Sequence, residues 1–242
     1  MSAKSKFLHQ PLLLRLLHGS TSLFVIAAIF TGFWTYDTYD GRWGGLPLPI
    51  WKEIEGIHGT FGLWALLIFP LFAIYAFHRG QQRLIQSSSL RDLKQIGKPL
   101  GWYTLHRLIN SITLLALTFA LFSGKMMDET WLPQGNLTQG WYYAHLISWV
   151  ILLGCIALHI LMSTKVGGFR LIVSMFNRQF HPQENPRLWG KQLQKWFAES
   201  NGSEIVRLEW SKLSTPLKVI EGIILVALVT AWSLPVLLKL FS

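Results

Sequence analysis

Tyr142–Ser163, YYAHLISWVILLGCIALHILMS, is an apolar run with two histidines set into it, His145 and His159. At a rise of about 1.5 Å per residue, a helix separates them by about 21 Å along its axis. At about 100° per residue the second falls about 40° short of facing the same way as the first. A hydrocarbon core is about 30 Å thick, so one helix carries one imidazole near each edge of a membrane. Ionisable side chains inside a span are expensive, and two on one stripe call for a functional partner such as a metal centre near each leaflet. The alternative is a pair of histidines hydrogen-bonded to neighbouring helices.

Composition supports the membrane reading. Of 242 residues 51% are hydrophobic and only 14% charged, and the mean hydropathy is positive at +0.34. That profile fits an integral membrane protein. Several of the 12 Trp, among them Trp34, Trp51, Trp102 and Trp141, fall where spans would end, as an interfacial belt predicts. The single cysteine, Cys155, lies mid-span. It excludes an internal disulfide framework, a Cys-x-x-Cys-His haem attachment and a cysteine-ligated cluster.

Four further spans follow outward from this one. Leu12–Trp34 is predicted as the first; it is too long for a signal-peptide core, contains His18 and ends without a small-residue cleavage site, so it reads as a retained span. A Gly, Pro and Asp-rich stretch then forms a loop to about residue 57. The second span is expected over His58–Phe77, the third over Tyr103–Phe122 and the fifth over Leu217–Leu238. Residues 164–215 read as a polar connector with amphipathic pieces, FRLIVSMF and SEIVRLEWSKL. No repeat stands out. The expected architecture is an all-α integral membrane protein: a four-helix bundle over 1–165, an amphipathic connector over 166–215 and a fifth transmembrane helix over 216–242.

The charge excess of +10 is then a matter of topology rather than of nucleic-acid binding. Of the 22 Lys and Arg, all but Arg42, Lys52, Lys125 and Lys239 fall on the side of the N-terminus. The positive-inside rule makes that side cytoplasmic and puts the C-terminus outside. His18 and His159 then lie at the inner depth, and His58 and His145 at the outer depth. Paired imidazoles from two helices hold a b-type haem without covalent attachment. Nearby glycines (Gly19, Gly59, Gly62 and Gly154) either admit a flat macrocycle or let helices pack closely.

Four features together resemble the prokaryotic di-haem cytochrome b561 superfamily, which includes the cytochrome b subunits of formate dehydrogenase and nickel–iron hydrogenase. They are Arg15-Leu16-Leu17-His18 heading span one, His58 heading span two, and His145 and His159 fourteen apart in span four. The resemblance covers roughly residues 8–165. It implies two haem b groups ligated by His18, His58, His145 and His159, and a four-helix transmembrane di-haem bundle. The implied function is electron transfer between a membrane quinone and a redox partner protein, such as an iron–sulfur subunit. Two forms are open: a subunit of a larger membrane oxidoreductase, and a stand-alone quinol oxidoreductase. The family also places quinone beside the inner haem, near the start of span three.

His106, Arg107 and Asn110 stand there. A quinone needs hydrogen-bond donors at its carbonyls and a proton route to water, which these residues offer. Alternatively, Arg107 anchors haem propionates or lipid phosphate and His106 packs at the interface. Arg15, one turn before His18, is either a propionate partner or a headgroup anchor. His78 falls on the opposite face from His58 and reads as interfacial, as does Glu221 near the start of span five; His9 and His181 read as solvated. Arg42, Trp43 and Lys52 border the outer haem if their loop folds that way. Acidic outer loops, with Asp128 and Glu129, are either a docking face or solvated surface. The rival function is a haem-free metal carrier or assembly scaffold; a carrier would line a midplane path with carboxylates, and spans one to four hold none there.

Overall fold

The computed structural model describes residues 10–127, 137–177, 179, 181–199 and 210–241. His9, Asp128, Glu129 and most of SEIVRLEWSKL lie outside them. The described residues form five helices long and apolar enough to cross a membrane. They are α1 (Leu12–Tyr39), α2 (Ile54–His78), α3 (Pro99–Lys125), α4 (Gly140–Met175) and, after the amphipathic α5 (Pro186–Glu199), α6 (Thr215–Phe241). The protein is all-α and integral to the membrane, as its composition predicts.

Each helix overruns its predicted apolar core. The 28 residues of α1 and 27 of α3 span about 40 Å, more than a hydrocarbon core, so their ends stand at headgroup level. Periodicity locates the apolar centre of a span; hydrogen bonding continues into the polar turns beyond it. Pro11 precedes α1 and Pro99 opens α3, where a missing N–H costs no helical bond. The longest helix, α4, runs through residue 165 and absorbs much of FRLIVSMF. Gly168 lies inside it at φ 64°, a conformation open to glycine at no steric cost, and kinks the helix there.

Two hairpins build the bundle: α1 packs along α2, and α3 along α4, with few close backbone approaches between the pairs. Between the hairpins lie the histidines. The fifth span, α6, packs outside this group against α3 and α2. Phe69 and Phe77 of α2 and Leu217 and Ile224 of α6 are fully buried in that seam. Leu23, Phe30, Val150, Leu161 and Val226 point outward, as lipid-facing residues do.

Candidate functional site

The outer depth is built almost symmetrically. His58 of α2 and His145 of α4 face each other with ring centroids 6.0 Å apart. The Nδ1 of His58 lies 3.0 Å from the Ala28 carbonyl and 3.4 Å from Thr31 Oγ1 on α1. The Nδ1 of His145 is met in the same way by Ser123 Oγ at 3.2 Å and by the Ala120 carbonyl on α3. A carbonyl accepting from Nδ1–H leaves Nε2 as the bare nitrogen able to take a metal.

Each ring also lies close against a glycine. A Cβ on Gly32 would stand 2.9 Å from His58 Cε1, and one on Gly124 would stand 2.9 Å from His145 Cε1. The contacts match because the sequences match: Ala28-Ile29-Phe30-Thr31-Gly32 on α1 answers Ala120-Leu121-Phe122-Ser123-Gly124 on α3. In the same register Arg15 answers Arg107 and His18 answers Asn110. Helices α1 and α3 thus repeat one short local pattern, while α2 and α4 do not follow the same register, which sets His58 against Val150.

Next to the outer pair opens a cavity of about 400 Å³, lined by His58, His145, Gly59 and Gly62, with Glu55 and Lys125 among its polar groups. A Cβ at Gly59 or Gly62 would meet no protein atom within 4 Å, so these glycines border open space rather than close a helix contact. Lys125, which sequence reasoning passed over, lines this cavity, whereas Arg42 and Trp43 are engaged above it. Arg42 bonds Asp40 at 2.5 Å and the Leu137 carbonyl at 2.8 Å, and its guanidinium lies over Trp43 and Tyr143. Tyr142 also donates to Asp40. Burial alone would raise the Asp40 carboxyl, but hydrogen bonds from Arg42 and Tyr142 outweigh it and hold the group below the usual carboxylate range.

At the inner depth the repeat is broken. His18 of α1 faces His159 of α4 at 6.1 Å between ring centroids. In the second hairpin Asn110 meets His159, its Oδ1 lying 2.9 Å from Nδ1. In the first hairpin His18 meets Phe72 edge to face at 5.6 Å. Asn110 also donates to the Arg83 carbonyl at 2.9 Å, which ties the histidine to the loop after α2. His106 is buried, 6.0 Å from His159 by ring centroids, and its Nε2 lies 3.2 Å from Ser163 Oγ. Two predicted site residues make protein contacts: Arg107 bonds the Gln82 carbonyl at 2.7 Å and covers Tyr103. Arg15 is buried, and its Nη2 bonds the Gln179 carbonyl at 2.7 Å. Sequence reasoning missed Arg83, whose charge reaches both His18 and His106. A loop arginine gives no sign of this without its fold.

Either pair would hold a metal between its two imidazoles. Two metal–nitrogen bonds of about 2 Å, with the distance from nitrogen to ring centre on each side, separate two centroids by roughly 6 Å. Both pairs stand at that separation. Among the described residues no three His, Cys, Asp or Glu side chains converge as a bare-ion site; at the outer depth two imidazoles face each other, and at the inner depth His159 faces both His18 and His106 at the same separation.

His78 and Glu221 depart from their interfacial reading. The His78 Nε2 lies 2.8 Å from Glu221 Oε1, and Glu221 is only 2% exposed. Neither position in the sequence reveals the other, because the pairing depends on how α6 packs on α2.

Comparison with known proteins adds one match. A family model described as prokaryotic cytochrome b561 matches residues 9–178, more than half of the chain and all of the paired histidines. No curated protein and no solved structure matches.

Proposed function

This chain belongs to the prokaryotic cytochrome b561 family, which implies b-type haem and electron transfer across a membrane, and on that premise we propose that it holds two haem b groups, one at each face. The supporting observation is the two facing histidine pairs, 6.0 Å and 6.1 Å between ring centroids, set about 21 Å apart along α4. Haem iron bound between two imidazoles supplies one-electron transfer and leaves no position open for oxygen.

The remaining roles belong to the chain. His58 and His145 bind at the outer depth, with the Ala28 and Ala120 carbonyls fixing their tautomers. His18 and His159 bind at the inner depth, where Asn110 orients His159. The Nε2 of His106 is engaged with Ser163, which favours His18 as the partner of His159. Lys125 offers a cation to acidic substituents in the outer cavity, and the Asp40–Arg42–Tyr142 clasp closes the loop over that end. Arg15 and Arg83 offer cations at the inner end.

Quinone exchange belongs at the inner face, where Arg107 and Asn110 hold the turn carrying Gln82 and Arg83 and His106 lies against His159 and Ser163. His106 holds or releases a proton there, and Arg107 keeps the turn closed. With the N-terminus cytoplasmic, this face is the cytoplasmic one. Residues 166–215 and the fifth helix then give a redox partner, such as an iron–sulfur subunit, a surface beside the haem domain of residues 1–165. This favours the subunit of a larger oxidoreductase over the stand-alone enzyme.

Haem per polypeptide, with a reduced-minus-oxidised spectrum of detergent-purified protein, tests the reading. Two low-spin b haems are expected. One haem overturns one of the pairs, and a chain that binds none in haem-sufficient cells overturns the assignment. Isolation of the chain alone with full quinol activity overturns the obligate-subunit form.

A further inference from the structure

Glu221 is the buried carboxylate that the proposed electron path does not use. It belongs to α6, beyond the residues that the family match covers. Its Oε1 accepts from His78 Nε2 at 2.8 Å, while its Oε2 is buried with no hydrogen-bond partner. His78 Nδ1 is likewise buried and unpartnered. The pair therefore shares one hydrogen bond and carries one further atom on each member that can accept a proton. The His78 side chain is 21% exposed and that of Glu221 2%, so one member reaches the surface and the other does not. An ionisable pair inside a membrane protein is costly, and where it is kept its protons are commonly what it serves.

The place of the pair ties it to the inner histidines. His78 closes α2 six residues beyond Phe72, about 9 Å along the helix, and Phe72 touches the ring of His18. The turn that follows His78 carries Arg83, whose carbonyl holds Asn110 and through it His159. Charges inside a membrane protein are less screened than charges in water. Other titratable groups stand on the packed elements. Tyr75 and Arg79 flank His78 on α2, Arg83 follows it, and Lys218 precedes Glu221 on α6. On α3, His106 is held by Ser163 and Arg107 by Gln82. His78 is the one that meets the Glu221 carboxylate.

We propose that His78 and Glu221 form a proton-exchange site, filled from the aqueous phase at the inner face, whose occupancy is coupled to electron arrival at the inner histidine pair. The proposal rests on the haem reading above. A quinol or a partner's reduced centre supplies one electron. One proton from water forms an O–H bond on Glu221 Oε2, by way of His78, and offsets the added negative charge. Oxidation returns the proton to water.

Redox titration of the full chain at a series of pH values tests it, with the inner haem identified as the one lost in His159→Ala. The inner midpoint potential of the parent is expected to fall as pH rises. In Glu221→Gln this slope flattens, while haem content and the outer midpoint stay as in the parent; Glu221→Asp retains the slope. A role limited to clasping α6 onto α2 moves no pH slope, because glutamine keeps the hydrogen bond. Equal slopes in parent and Glu221→Gln, or no slope in the parent, overturn the proposal. Should Glu221→Gln fail to accumulate, the redox-difference infrared spectrum of the parent decides. A carboxylic C=O band that rises on reduction supports the site, and its absence overturns it. A parent without haem overturns the function reading itself, an outcome told apart by the haem assay alone.

Discussion

The imidazole of His58 lies on Gly32, with Cε1 placed 2.9 Å from where any β-carbon would sit. Contact this close leaves no room for a methyl group without moving the ring or parting α1 from α2. The same relationship links His145 to Gly124. Gly32→Ala and Gly124→Ala are therefore expected to tilt an outer ligand and weaken outer haem binding by about 10–100-fold, the usual cost of disturbing a ligand's support. The inner haem should be retained. Haem content and the low-spin spectrum of each variant check this; an unchanged outer haem in both would refute the seat.

The ligand pairs predict separable losses. His145→Ala should leave the inner haem with its spectrum intact, and His159→Ala should leave the outer one. Each variant is expected to carry about one haem per chain, since each keeps the other pair whole. Pyridine haemochrome assays set against protein concentration give the answer. Equal haem in both variants and in the parent would sink the assignment.

Asn110 accepts from His159 and donates to the loop carbonyl of Arg83. Asn110→Leu keeps the bulk and removes both bonds. It should shift the inner midpoint potential and leave the outer one in place, because only His159 loses its orienting acceptor. If quinone binds at this end, the same variant should also lower sensitivity to a quinone-site inhibitor. An unchanged inner midpoint would show that Asn110 does not tune the ligand.

The Asp40–Arg42 clasp carries a pH dependence whose sign is fixed. Asp40 is held below the usual carboxylate range, and its hydrogen bonds to Arg42 raise the already high pKa of the guanidinium. A depressed carboxyl contributes stability that is fully present above its unfolded value and is lost as pH falls through the folded value. The outer loop should hold through neutral pH and loosen only in acid. Asp40→Asn should be loose at neutral pH as well. Trp43, stacked on Tyr36 and under Arg42, reports the change by fluorescence. A parent and an Asp40→Asn protein with the same acid profile would count against the clasp.

Much of the site was legible along single helices. A fixed rise and turn per residue assign every histidine a depth and a face, so His18 and His159 fell at one level and His58 and His145 at the other. Asn110 was readable as a residue near the start of span three, though not as the acceptor for His159. Arg107 and Arg15 were readable as basic residues at the right end, though not as groups that bond Gln82 and Gln179. Thr31 and Ser123 make the same contact to the two outer rings, a likeness of α1 and α3 that depends on where their partner helices lie.

Hydropathy and helical periodicity are local properties, and they suffice for the membrane class, the five spans and the two levels of histidines. Lateral meetings come from packing alone: glycines against the outer rings, Asn110 against His159, Lys125 in the outer cavity, and Glu221 against His78. Depth along a helix follows from counting residues. Which neighbour a side chain faces depends on how helices far apart in sequence rotate and pack, and no single helix carries that information.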